Sequence, residues 1–150
     1  MTGQLAGVDL RKGEYLVSTY SKTPKGLWVL DGTPTRLPQD SPAHQLGVVI
    51  REALARSRVG VDEPTRDSDP AGPLLDLLQV SDFATYAKGT RSVEVYSEPS
   101  GDGETVEVTP RRNEGGRRGF TPIEDEMQAF VYASPEQLGT AVVNAFTKAV

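Results

Sequence analysis

Apolar residues recur along this chain with two periods, and the switch from one to the other happens twice. In the first half Glu14–Tyr20 (EYLVSTY) is rich in β-formers and reads as a strand. Ser21–Gly26 reads as a turn and Gly26–Leu30 as the partner strand of a hairpin. Asp31-Gly32 marks another turn, with a short third strand at Thr35–Leu37. The period then changes: Leu46, Val49, Ile50, Ala53 and Leu54 recur at spacings of three and four, predicting a helix that runs to about Arg58. Residues 1–13 read as a polar leader. The second half repeats the order, with strands at Thr90–Tyr96 and Glu104–Thr109 around a turn at Glu98–Gly103, a third near Phe120–Ile123 and a fourth at Met127–Tyr132. A helical stripe of Leu138, Ala141, Val142, Ala145, Phe146 and Ala149 closes the chain. Within Ser92–Tyr96, Val93 and Val95 face one way while Ser92, Glu94 and Tyr96 face the other, and Val106 and Val108 oppose Glu107 in the same manner. Between the halves lie a polar loop, Val59–Gly72, a leucine-dense short helix at Pro73–Val80, and a second helical turn, SDFATYAK, for which Ser81 is the expected cap.

Both long helices begin with the same words, SPAHQLG at Ser41–Gly47 and SPEQLG at Ser134–Gly139. Ser41 and Ser134 are placed to accept an orphan N–H of the first turn, and Pro42 and Pro135 suit the first helical position, where a missing N–H costs nothing. Gly47 and Gly139 follow the same leucine. Glycine within a helix costs roughly 1 kcal/mol against alanine, so its matched placement points to a close approach, expected to be toward a sheet. The pattern is that of an internal duplication: an α+β fold in which two β-meander-then-helix units form one antiparallel sheet with two principal helices on one face, plus short middle helices. Such a sheet leaves a wet face or an edge for a partner.

The 150 residues are expected to form one domain, 1–150, large enough for its own core, and 37% hydrophobic with 25% charged residues is ordinary for a globular chain. There is no cysteine, which rules out disulfides and cysteine-based zinc sites. The sequence shows no signal-peptide-like apolar run and no membrane-spanning stretch, so a cytoplasmic location is expected. The net charge of −5 argues against general nucleic-acid binding and favours a basic partner.

A catalytic set is hard to assemble. His44 is the only histidine, and it lies within a first helical turn where it caps Ser41 reciprocally or faces solvent. Asp62, Glu63, Asp67 and Asp69 share one loop but lack the glycine and terminal glutamate of a calcium loop. Gly101–Gly103 (GDG) belongs to a hairpin turn rather than a phosphate cradle. The one basic island is Arg111–Gly119, where Arg111, Arg112, Arg117 and Arg118 alternate with glycines and end beside Phe120; it reads as a charged strand connection, with a phosphate-tracking role as the alternative. Tyr15, Tyr20, Trp28, Phe83, Tyr86, Tyr96, Phe130 and Tyr132 fall on strands or the middle helices, where any exposed member would serve as an interface anchor. No catalytic, cofactor-binding or metal-binding residue is assigned, and the partner-binding residues stay open.

The order of elements resembles the immunity-protein family of bacterial contact-dependent growth inhibition systems, a group once catalogued as a domain of unknown function. The resemblance runs through EYLVSTY, GLWVLDG, QLGVVIREALARSR, PLLDLLQVSDFATYAKGTRSVEV and SPEQLGTAVVNAF, covering nearly the whole chain as a pattern of elements. It implies a non-enzymatic cytoplasmic inhibitor, without cofactor, that binds a cognate toxin domain, often a nuclease, and blocks its active site or substrate path. The layout also resembles Whirly-type single-strand-binding folds, which makes a single-stranded nucleic-acid binder the alternative function. An enzyme built on a carboxylate pair of the sheet is the third.

Overall fold

The computed structural model describes residues 3–116 and 118–150. The first half runs through β1 (Gln4–Arg11), β2 (Glu14–Lys22), β3 (Trp28–Leu30), β4 (Thr35–Pro38) and α1 (Ala43–Ala55). Two short helices follow, α2 (Gly72–Leu78) and α3 (Phe83–Ala87). The second half comprises β5 (Arg91–Ser100), β6 (Gly103–Asn113), β7 (Phe120–Pro122), a 3-10 turn at Glu124–Glu126, β8 (Gln128–Val131) and α4 (Pro135–Ala145).

All eight strands form one antiparallel sheet along the path β3-β2-β1-β5-β6-β7, with β4 paired to β2 and β8 to β6. The duplication is visible in the ladder. β4 pairs with the start of β2 and β3 with its end, and β8 and β7 divide β6 in the same order. The halves join where β1 meets β5, with Val8 opposite Val93. The expected α+β class and the two-fold β-then-helix layout are therefore what the chain adopts.

The helix layer shows why both repeats carry a glycine. A Cβ on Gly47 would lie 1.8 Å from the carbonyl oxygen of Pro135, and one on Gly139 would lie 1.9 Å from that of Ala43. Ala43 and Pro135 each precede their own glycine by four residues, so the contact is reciprocal. The close approach expected toward the sheet is instead between the two helices, one backbone resting on the other. Below this crossing Leu46, Ile50, Leu138 and Val142 pack on Ala6, Val8, Val17, Val93, Val95, Val106 and Val108, all fully buried.

Four further expectations are corrected. The leader is not loose: residues 4–11 are β1, at the middle of the sheet. Ala6, Val8 and Leu10 point to the helices, but their alternates Gly7, Asp9 and Arg11 are small or charged, which hides the strand from a hydropathy pattern. Ser134 caps α4, its Oγ accepting from Gln137 N at 3.2 Å, whereas Ser41 caps nothing, because the first copy has one more residue before its glycine. That residue places Pro42 at the cap position and moves Ser41 one step outside the reach of the first turn. For α3 the cap is Asp82 rather than Ser81, Asp82 Oδ1 accepting from Thr85 N at 2.8 Å. The β5–β6 hairpin is also longer than expected: Glu98–Ser100 are strand, and Arg111–Asn113 belong to β6 rather than to a connection.

Candidate binding face of the sheet

The face turned away from α1 and α4 is polar where the other is apolar, and the ladder arranges it in rows across the strands. One row runs Leu16, Asp9, Ser92, Arg111; the next runs Ser18, Gly7, Glu94, Thr109; a third runs Tyr20, Leu5, Tyr96, Glu107. The first row holds a buried charge network. Ser92 Oγ donates to Asp9 Oδ1 at 2.6 Å, and the Tyr86 hydroxyl donates to Asp9 Oδ2. Arg111 Nε donates to Ser92 Oγ at 2.9 Å, while its Nη2 lies 3.8 Å from Asp9 Oδ1. A buried carboxylate and guanidinium persist only when paired and hydrogen-bonded, and here each satisfies the other.

The electrostatics follow from this geometry. Burial and then the neighbouring Asp9 carboxylate hold the Tyr86 phenol far above its ordinary range, so it remains a donor. Burial also raises the Tyr20 phenol, against the pull of Arg111. For Arg111 burial acts downward, but Tyr20, Asp9 and Glu94 outweigh it and raise its pKa. Gly7 makes this possible. A Cβ there would lie 2.8 Å from Tyr20 Cε2 and 3.1 Å from Arg111 Nη2, so the bare Cα is the space into which both side chains fold.

Part of the face is roofed. Leu16, Leu74, Leu75 and Tyr86 form a second apolar cluster, with Phe83 and Phe120 against it at centroid separations of 5.7 Å (Phe83–Tyr86) and 6.1 Å (Phe83–Phe120). Asn113 Nδ2 donates to the carbonyls of Ala87 and Thr90, tying α3 to β6, and Gly116 lies so close to Ala84 that a Cβ would come within 2.5 Å of its Cβ. Between this roof and the β2–β3 edge opens a cavity of about 580 Å³, floored by Ser18 and Tyr20 and walled by Trp28, Leu30, Leu74 and Phe120.

The remaining part of the face is open and acidic. Glu94, Glu107 and Glu124 converge with Thr109, Pro122 and Met127 around a groove of about 290 Å³. Burial raises the Glu94 carboxyl above its ordinary range, with Glu124 and Glu107 adding to this and Arg111 opposing. Among the described residues these three glutamates form no ion pair. Tyr96 stands directly opposite Glu107 in the ladder, and its ring meets Trp28, a wall of the apolar cavity, edge-on at 6.4 Å.

The residues singled out from sequence are distributed unevenly over this face. His44 is exposed on α1, on the far side of the sheet, with no bond to Ser41. Of the acidic loop, Glu63 accepts from Lys25 N at 2.7 Å and Asp69 stands at the cavity rim. Asp102 lies in the hairpin turn, as expected. The arginine-glycine tract separates: Arg111 is consumed by Asp9 and unavailable to a phosphate, Arg112 and Arg118 are exposed, and Arg117 lies outside the described residues. Tyr15, Phe130 and Tyr132 pack with the helical core, while Trp28, Tyr20 and Tyr96 lie on the polar face. What sequence reasoning missed is Gly7 and Asp9, concealed in the supposed leader, and the convergence of three glutamates far apart in the chain; the alternation of Ala6, Val8 and Leu10 was the available signal for the first.

No helix among the described residues is long and apolar enough to cross a membrane. No family model matches the chain, and no curated protein sequence does. Solved structures do. A protein of unknown function from Neisseria meningitidis superposes with a TM-score of 0.78 at 20% identity, covering 98% of this chain and 95% of that one. A chain of the CdiA-CT/CdiI toxin and immunity complex from Yersinia pseudotuberculosis superposes with a TM-score of 0.77 at 18% identity, covering 99% of this chain and 98% of that one. The fold expected from the family resemblance is thus the fold this chain has, shared end to end with a chain of a toxin and immunity complex.

Proposed function

We propose that this chain is an immunity protein that binds a toxin domain of a contact-dependent growth inhibition system and neutralises it without chemistry of its own. The observation that carries the reading is the end-to-end fold likeness to a chain of a toxin and immunity complex. The acidic, aromatic-flanked open face supports it, since aromatic anchors and complementary charge are the usual means of tight, fast protein recognition. The toxin is a basic domain, a nuclease, met in the cytoplasm, and inhibition consists of covering its active site or its substrate path. An acidic partner competes directly with the phosphate that such an enzyme must bind.

The test is co-expression with the toxin domain encoded immediately upstream of this gene. The expected outcome is relief of growth arrest and co-purification of a stoichiometric complex whose association slows as salt rises. Unrelieved arrest together with separate elution of the two proteins overturns the reading.

A further inference from the structure

The roofed half of the polar face encloses more space than its own side chains fill. Its cavity measures about 580 Å³, inside the range of about 300–1,000 Å³ in which small-molecule sites fall. Three aromatic rings from separate parts of the chain wall it: Trp28 from β3, Phe83 from α3 and Phe120 from β7. Rings set on different sides offer faces and edges to a flat apolar guest. A single side chain from a partner would leave much of this volume empty.

The floor carries one polar group with nothing to bond. Ser18 is only 6% exposed, and its hydroxyl has no hydrogen-bond partner among the described residues. Its Oγ is reached from the cavity rather than sealed beneath it. The sheet explains the vacancy. β4 pairs with Glu14–Val17 and β3 with Tyr20–Lys22, so no strand lies beside Ser18 on that side. On the other side its ladder partner is Gly7, which has no side chain to offer. The remaining polar groups of the floor are engaged: Asp9 accepts from Ser92 and Tyr86, and Tyr20 folds over Gly7 toward Arg111. A buried hydroxyl is ordinarily satisfied, and a serine can both donate and accept. At the rim Asp69 and Arg118 are exposed and opposite in charge, so the entrance favours neither sign.

We propose that this cavity is a binding site for a flat, mostly apolar aromatic small molecule without net charge, carrying a hydroxyl or carbonyl that bonds to Ser18 Oγ. The site does not depend on the immunity reading, and either can fail without the other.

The probe is 2-naphthol, with naphthalene as the same ring system lacking the hydroxyl, each followed by NMR titration of the whole chain. Trp28 is the only tryptophan, so its indole N–H gives a single signal from the cavity wall. 2-Naphthol is expected to shift that signal and the amides of Ser18 and Phe120 saturably. Ser18→Ala is expected to weaken 2-naphthol binding about 5- to 10-fold, the value of one hydrogen bond, and to leave naphthalene binding unchanged. That variant is expected to melt no lower than wild type, since it loses no internal bond. Ala71→Phe, which fills the cavity from the roof, is expected to abolish the shifts with both probes. The absence of a saturable shift in wild type overturns the proposal, as does binding that survives Ala71→Phe or is indifferent to Ser18→Ala. Toxin-domain binding that weakens with Ala71→Phe, with no 2-naphthol shift in wild type, also overturns it and gives the cavity to a partner's side chains.

Discussion

The two faces of this sheet are made from the same strands and follow opposite rules. Toward α1 and α4, β1, β2, β5 and β6 contribute apolar side chains at alternate positions, and the helices close on them through a reciprocal glycine contact. Toward α2 and α3, the same strands contribute Asp9, Ser92, Arg111, Glu94 and Glu107, and only part of that surface is roofed. The first face is specified by shape, and shape is unforgiving of added atoms. The second is specified by charge pairing, and it contains one set that is paired and one that is not. Stability resides mainly on the first face, and the second keeps three glutamates that pair with no cation among the described residues.

The largest effect expected is on the helix side. Gly47→Ala and Gly139→Ala each place a methyl inside the carbonyl of the other helix. The helix-propensity gain of about 1 kcal/mol is overwhelmed by overpacking against rigid backbone, and a net loss of at least ~3 kcal/mol should appear in urea unfolding. Because the contact is reciprocal, the double variant should cost much less than the sum of the singles, the helices having already been forced apart. Additive losses would mean that the crossing is not one shared contact.

On the polar face, Asp9→Asn should cost about 3 kcal/mol, because it leaves the buried Arg111 guanidinium without its counter-charge. Tyr86→Phe should cost about 1 kcal/mol, the value of one hydroxyl donated to that carboxylate. Equal losses for the two variants would show that packing, rather than charge pairing, sustains the network. Back in the helix layer, the caps give a smaller contrast: Ser134→Ala should lower stability by about 1 kcal/mol and Ser41→Ala by less than ~0.5 kcal/mol, although the two serines sit in the same written phrase.

The helix-covered face was largely legible in the sequence because shape-driven burial leaves a periodic trace. Val93 and Val95, Val106 and Val108, and the two leucine stripes announce their own geometry. The polar face leaves no such trace. Asp9 is buried because Tyr86, Ser92 and Arg111, distant in sequence, converge on it, and nothing local distinguishes it from a solvated aspartate. For the same reason β1 read as a leader: a central strand whose alternate residues are glycine, aspartate and arginine has the hydropathy of a tail. Arg111 was grouped with its basic neighbours, yet one position in the ladder separates it, buried on Asp9, from the exposed Arg112. The Ser41 cap failed by a single inserted residue, an error of register that propensity cannot detect.

The finest test of the contrast is the sign of two small pH effects. Burial raises the Glu94 carboxyl above its ordinary value of 4.5, so the folded protein takes up a proton there more readily than the unfolded chain does. The ionised form therefore costs stability, a cost absent below the ordinary carboxylate range and growing as pH rises through the raised value. Glu94→Gln should thus be slightly more stable than wild type at pH 7, by no more than ~0.5 kcal/mol after solvent screening, and the advantage should vanish toward pH ~4. Asp31, toward the helix side, works the other way. Its hydrogen bonds from Arg58 and Ser21 lower its pKa, so its stabilisation is present above the ordinary carboxylate range and lost as pH falls through the depressed value. Asp31→Asn should be slightly less stable than wild type at pH 7 and equal to it near pH ~2. Urea midpoints at the two ends of each window decide the matter. If both variants shift in the same direction at pH 7, Glu94 already has a partner in the folded chain.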